Sequence, residues 1–282
     1  MKSRVDKQKI DYLIVGHITR DLTEEGSRLG GTAAYSSLLA SRMGLEVGLV
    51  TSTDEDTNLD PLTGIHIRNY PAVKTTTFKN LYTPTGRTQY LLERADPLEM
   101  NMIPEAWQSA KIIHLAPVAG EIDINVGRLF PEAAVCLSLQ GWLRDWDDDG
   151  LVYPIKFPDP GQHFEENTAA FVSDEDLAYD SSQIKRLRNY FPVFGHTKGY
   201  AGADIFVKSN SISFPATSVE EIDPTGAGDI FAAAFMIYYY LRNKTLFDST
   251  SLSTALASLS VTRPGVEGIP TREEIQGIEE VF

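Results

Sequence analysis

The chain reads as an α/β protein, a mostly parallel sheet covered on both faces with a small antiparallel flap set apart from it. Short apolar runs rich in β-formers recur at "YLIVGHI" (12–18), "LEVGLVT" (45–51), "AKIIHLAPV" (110–118) and "AAVCLSLQG" (133–141). Runs of this kind, apolar on both faces, mark strands buried between layers. Helix-compatible or turn-rich segments alternate with them, which predicts parallel strands joined by crossovers. Residues 74–94 break the pattern. They alternate polar and apolar side chains around a central "TPTG", which predicts a two-stranded hairpin with one wet face.

The first unit runs from strand 12–18 through the turn-like "TEEGSRLGG" to "TAAYSSLLASRMG" (32–44). There Ala, Leu and Met fall at helical spacing and Gly44 supplies a stop. Strand 45–51 completes a β-α-β unit. The acidic "DWDDDG" (145–150) and "PDPGQHFEEN" (158–167) read as solvated loops. "HTKGYAGADIFV" (196–207) places a Thr-x-Gly-x-x-Gly turn between extended segments. "SVEEID" is read as a strand leading into "PTGAGDIF", after which "AAAFMIYYYL" is an apolar helix. Ligands of open α/β sheets bind beyond the carboxyl ends of the strands. Asp21, Gly30 and Gly31 are therefore expected on the same edge as Gly226 to Asp229.

Bulk properties exclude whole classes of function. A formal charge of −14 with no Lys/Arg block argues against a nucleic-acid partner. The single Cys136 permits no disulfide framework, in keeping with a reducing cytoplasmic setting. His17, His66, His114, His163 and His196 show no ligand spacing and read as structural or solvated. No run reaches the roughly 20 apolar residues of a membrane span, and the basic N-terminus lacks the apolar core of a signal peptide. The 282 residues read as one domain.

The chemistry centres on "EIDPTGAGDIF" (221–231). Gly226, Ala227 and Gly228 offer backbone N–H groups at a helix N-terminus, where the dipole favours an anion. Asp229 admits two readings: a helix N-cap, or a base that takes the proton of an attacking hydroxyl. There is no Walker motif. Gly199 and Gly202 allow close backbone approach by a nucleotide, or simply form a hairpin turn. The Gly30–Gly31 pair allows either tight packing or approach by a hydroxylated substrate.

In this order, "GGTAAYSSLLASRMG", "TKGYAG", "DPTGAGDIFAAAF" and the tail "SLSVTRPGVEGIPTREEI" resemble the ribokinase-like (PfkB) carbohydrate kinases across nearly the whole chain. The resemblance implies a three-layer sandwich with a mostly parallel central sheet and a small β-lid, its segments near 18–29 and 74–94. It implies an ATP- and Mg2+-dependent kinase of a sugar or cyclitol hydroxyl, with Asp229 as general base and Gly226, Ala227 and Gly228 as anion hole. Thr197, Gly199, Gly202 and Thr225 would face ATP, and Asp21, Gly30 and Gly31 the substrate hydroxyls. Asp223 and Thr225 match positions near "VTRPG" that hold a monovalent cation such as K+ in some members. The implied partners are a small sugar or polyol and, as a homodimer, a second copy of the chain.

Departures from the family pattern narrow the substrate. Tyr35 replaces the Asn of ribokinases and many nucleoside kinases. "SDED" (173–176) replaces the Asn-x-x-Glu that helps place magnesium, leaving Ser173 and Asp176 as weak substitutes. Tyr35, "RADPL" (94–98) and "LQGWLR" (139–144) are similar to the myo-inositol kinase branch, which makes Arg94, Gln140 and Arg144 pocket residues alongside Asp21 and Tyr35. Arg144 admits a second reading, as a solvated pair with "DWDDD". A nucleoside kinase is the alternative within the family. A catalytically silent metabolite-binding regulator is the alternative outside it.

Overall fold

The computed structural model describes residues 8–23, 26–83, 86–161, 163–178, 180 and 182–281. The first β-α-β unit comprises β1 (Tyr12–Val15), β2 (Thr19–Thr23), β3 (Gly26–Gly30), α1 (Thr32–Arg42) and β4 (Val47–Thr53). Then follow β5 (His66–Pro71), β6 (Thr77–Thr83), β7 (Gly86–Glu93), β8 (Ile112–Leu115), β9 (Ala134–Ser138), β10 (Arg144–Trp146), β11 (Val152–Pro154) and β12 (Thr168–Ser173). The C-terminal part holds α2 (Ser182–Arg188), β13 (Val193–Thr197), β14 (Ala203–Val207), β15 (Asn210–Phe214), α3 (Ala227–Met236), α4 (Leu246–Ser260) and α5 (Arg272–Val281).

Nine strands form the central sheet in the order β15-β14-β13-β12-β9-β8-β1-β4-β5. Pairing is parallel from β5 to β13 and antiparallel only at the β13-β14-β15 edge. The two faces are apolar for the reason strands have a period of two. Tyr12 and Ile14 of β1 join a core beneath α1, α3, α4 and α5, while Leu13 and Val15 join a second core on the other side. That second face is covered by α2, short 3-10 turns and aromatic loops carrying Trp107, Phe157 and Phe164. Burial at both faces makes the strands read as continuous apolar runs.

The lid is a separate four-stranded sheet in the order β3-β2-β6-β7. Both predicted segments enter it, since β2 pairs with β6 in parallel and β6 with β7 as the hairpin. Part of the "TPTG" turn lies outside the described residues. Two expectations are corrected. "SVEEID" forms no strand, because β15 ends at Phe214 and the chain runs without helix or strand to the start of α3. "DWDDDG" is not a free loop. It is the turn of the β10-β11 hairpin, and Gly150 O accepts the Leu91 N–H of lid strand β7 at 2.8 Å. Gly150 has φ +80°, and a Cβ there would stand 2.4 Å from Leu91 O, so the turn approaches the lid because it carries glycine. Among the described residues no helix is long and apolar enough to cross a membrane.

Candidate active site

Local chemistry at the start of α3 decides between the two readings of Asp229. Gly226 is the N-cap residue, in the left-handed region at φ +82°, and no side chain caps the helix. Asp229 lies in the first turn, so the N-cap reading does not hold. The loop ahead of it is fastened by Asp223, whose carboxylate accepts the N–H of Thr225 at 3.0 Å and of Gly265 at 2.9 Å. Burial acts to raise the Asp223 carboxyl, but these bonds, one from the Thr225 side chain and the Arg28 charge outweigh it and hold it below the usual carboxylate range.

Three backbone amides remain for an anion, though not the expected three. The Ala227 N–H donates to Pro224 O at 3.2 Å. Gly226, Gly228 and Asp229 have no backbone acceptor for theirs among the described residues, as expected of the first turn of a helix. The Ala227 N–H is thus engaged within the turn, while those of Gly226, Gly228 and Asp229 are open. Burial pushes the Asp229 carboxyl up to about 7. The Thr32 hydroxyl and the Arg144 guanidinium draw it down, and the Asp176 charge adds to the rise.

Tyr35 is placed behind this loop. Its ring is 3 % exposed, and a Cβ on Gly226 would meet it at 2.3 Å. The expectation of a ring packed on substrate becomes one of a ring that supports the anion loop. Burial, with the charges of Asp21, Asp223 and Asp229, pushes its phenol far above the ordinary value, so it stays neutral among three carboxylates. Gly226→Ala should consequently lose turnover and about 2 kcal/mol or more of stability, since a left-handed Ala alone costs roughly 1–2 kcal/mol before the clash. The double variant Gly226→Ala/Tyr35→Ala, compared by thermal melting with both single variants, should recover the clash component. A strictly additive cycle would refute the contact.

The residues expected to face the acceptor come from several elements. Thr19 Oγ1 donates to Asp21 Oδ1 at 3.0 Å, and Asp21 Oδ2 lies 2.2 Å from where a Gly30 Cβ would stand, so glycine makes room for that carboxylate. Gly31, at φ +88°, opens α1 against His17 O. Gln140 Nε2 donates to Asp176 Oδ1 at 3.2 Å, and Ser173 donates to Asp176 Oδ2 from its N–H (3.0 Å) and its hydroxyl (2.7 Å). Arg144 Nη1 donates to Gln89 Oε1 of the lid at 2.6 Å, and its guanidinium lies 5.0 Å over the lid Phe78 ring. Arg144 thus holds the lid while its charge acts on Asp229. Arg94 stands apart, donating to Gly120 O and lying over Trp146, on a cavity of about 290 Å3 that Arg144 also borders.

The donor side meets the same loop. Thr197 ends β13, and its Oγ1 lies 3.7 Å from where a Gly228 Cβ would stand. Beyond it, Lys198 N–H donates to Gly202 O at 2.7 Å, with Gly199 at φ +55° and Gly202 at φ +89°. A Gly202 Cβ would meet Phe214 O at 1.9 Å, so this glycine answers first to packing on β15. No group of three metal-ligating side chains occurs among the described residues. Mg2+ is usually held by one or two carboxylates plus substrate phosphates and water, and a single carboxylate such as Asp176 fits that chemistry. Asp176 is the carboxylate facing Asp229. Asp223 adjoins the "VTRPG" segment, its N–H and that of Ile222 donating to Val261 O.

Several functional residues escaped the sequence reading. Arg28 of β3 reaches Asp223 at 3.9 Å, tying the lid to the loop before α3. Thr32 faces Asp229 from α1. Glu121, 1 % exposed, accepts the N–H groups of His17, Val118 and Ala119 at 2.8–3.0 Å. His17 bonds Thr76 Oγ1 through Nδ1 and donates from Nε2 to Asp96 O, at the two roots of the lid hairpin. An acid within the largely apolar stretch "LAPVAGEI" is the visible signal for this network.

Comparison with known proteins agrees with this geometry. Residues 181–272, from α2 past the donor loop to the segment after "VTRPG", match the pfkB family carbohydrate kinase. The chain is 26% identical over 271 residues to an inositol 3-kinase of Arabidopsis thaliana, covering 90% of this chain and 74% of that one. It is 24% identical to a cytidine kinase of Thermococcus kodakarensis over 258 residues, 82% of this chain and 88% of that one. Its fold matches a pyrophosphate-dependent kinase in the ribokinase family, complexed with a pyrophosphate analog and myo-inositol, with TM-score 0.76 and 17% identity over 94% of this chain and 99% of the other. With its large mostly parallel sheet and small lid, the chain has the ribokinase fold, carries the match to the pfkB family carbohydrate kinases over residues 181–272, and is a phosphotransferase with an alcohol group as acceptor.

Proposed function

We propose that the protein transfers the terminal phosphoryl group of ATP, with Mg2+, to a hydroxyl of a small cyclitol or sugar, with myo-inositol favoured. The observation that carries this reading is the Asp229 carboxyl, held near neutrality beside the free amides of Gly226 and Gly228. A carboxylate with a pKa near the working pH is suited to accept a hydroxyl proton. The adjoining amides and the dipole of α3 suit the charge of a phosphoryl group in transit. Mg2+ near Asp176 would screen the phosphate charges. Asp223 and the "VTRPG" backbone would hold a monovalent cation such as K+ next to the loop.

For the acceptor, Asp21, Gln140 and Arg144 supply acceptors and donors suited to a ring of hydroxyls, and Tyr35 stands where a ribose-binding Asn would be. Losing one hydrogen-bond partner for a buried hydroxyl costs ~1–3 kcal/mol, or roughly ten- to a hundredfold against ribose and nucleosides. Relative kcat/KM for myo-inositol, fructose, ribose and cytidine, each with ATP and with pyrophosphate, tests this. myo-Inositol with ATP should rank first. Cytidine or ribose clearly ahead would replace the cyclitol reading with a nucleoside or ribose kinase, and pyrophosphate ahead would correct the donor. No turnover with any acceptor would favour the metabolite-binding regulator.

A further inference from the structure

Resting on Asp229 as the base, we propose that Thr32 is its positioning residue: the Thr32 hydroxyl donates to one oxygen of the Asp229 carboxylate while the acceptor hydroxyl binds the other. The geometry starts from α1. Ser36 Oγ donates to Asp229 O at 3.4 Å, which sets that face of α1 against the first turn of α3. Thr32 lies one helical turn before Ser36 on the same face. It is 2 % exposed, and its Oγ1 is a buried hydroxyl with no hydrogen-bond partner among the described residues. A buried hydroxyl left so is costly unless something completes it. The group it faces is the Asp229 carboxyl, whose proton affinity it lowers.

The reaction needs such a partner. The acceptor O–H gives its proton to Asp229 as its oxygen bonds to phosphorus and the bond to the leaving phosphate breaks. Thr32 keeps its own proton throughout and fixes which carboxylate oxygen points at the acceptor. Four other groups act on Asp229 or stand beside it and must be held constant: Asp176 after β12, Arg144 in β10, Tyr35 in α1 and Cys136 in β9.

The test is titration of the Asp229 side-chain carboxyl carbon by NMR in the free protein, its resonance assigned by its loss in Asp229→Asn. Thr32→Val removes the donor with little change of shape. A hydrogen bond to a charged group contributes about 1.5–3 kcal/mol, so the midpoint should rise by roughly one to two units. Thr32→Ser should keep the wild-type midpoint. An unmoved midpoint in Thr32→Val overturns the proposal, as does an equal rise in Thr32→Ser. Should Thr32→Val not fold, Thr32→Ala is held to the same criterion. Turnover of ATP with myo-inositol by Asp229→Asn separates the two claims. Wild-type turnover there removes Asp229 as base, whereas a dead Asp229→Asn with an unmoved Thr32→Val removes only the role of Thr32.

Discussion

Asp229→Asn is expected to lower turnover by ~100- to 10,000-fold, the usual worth of a positioned general base, while leaving the fold intact and more stable at alkaline pH. The folded carboxyl titrates at about 7 against an ordinary value of 3.8, because burial disfavours its charge. Between those two values the folded state binds more protons than the unfolded one, so stability falls as pH rises through the window. Above pH 7 the wild-type protein carries the full penalty, on the order of a few kcal/mol, and asparagine does not. Melting curves should put Asp229→Asn above wild type at pH 8 and level with it near pH 4. For wild type, kcat/KM should climb with pH up to about 7. A variant with wild-type turnover, or one whose stability gain does not vary with pH, would refute the assignment.

Glu121→Ala should be the most destabilising single change near the site. Its carboxylate serves three buried N–H groups at 2.8–3.0 Å. Each orphaned donor costs about 1–3 kcal/mol, roughly 3–9 kcal/mol in all if the site does not fill with water. Burial acts to raise this carboxyl, yet the nearby His17 and the backbone N–H bonds outweigh it and lower it below its ordinary 4.5. Its stabilisation is therefore fully present above pH 4.5 and is lost as pH falls through the lower folded value. Chemical denaturation at pH 7 and at pH 3 should show a large gap between wild type and Glu121→Ala that narrows in acid. A gap under 1 kcal/mol at pH 7 would show that the network does not hold these loops. The lid roots at Thr76 and Asp96 bond to His17, so amide exchange in β6 and β7 should quicken in the variant.

Elements with one strong local signal were legible in the chain. β1, β4, β8 and β9 are apolar on both sides because both sides are covered, and β6–β7 alternates because one side is not. α4 was not legible. Its "LFDSTSLSTALASLS" is half hydroxylated, and Ser and Thr compete with the helical backbone. The helix forms because it is packed into a layer, where the buried hydroxyls of Thr250, Ser253 and Thr254 are satisfied by the carbonyls four residues earlier, at 2.7–2.8 Å. A glycine-rich turn shows where free amides cluster, but not that the Ala227 N–H closes the turn onto Pro224 O.

Residue order alone marked the glycine-rich turn, the acid that follows it and the 197–202 turn, since each needs only a local backbone conformation and a helix start. The partners of that acid lie far from it along the chain: Thr32 and Tyr35 in α1, Arg144 in β10, Asp176 after β12. A pKa near 7 is a property of that enclosure, because desolvation and through-space charge depend on distance in the folded protein. Tyr35 makes the point in one residue. The resemblance makes it a pocket position, and in the fold α1 and α3 pack so closely that its ring ends against Gly226.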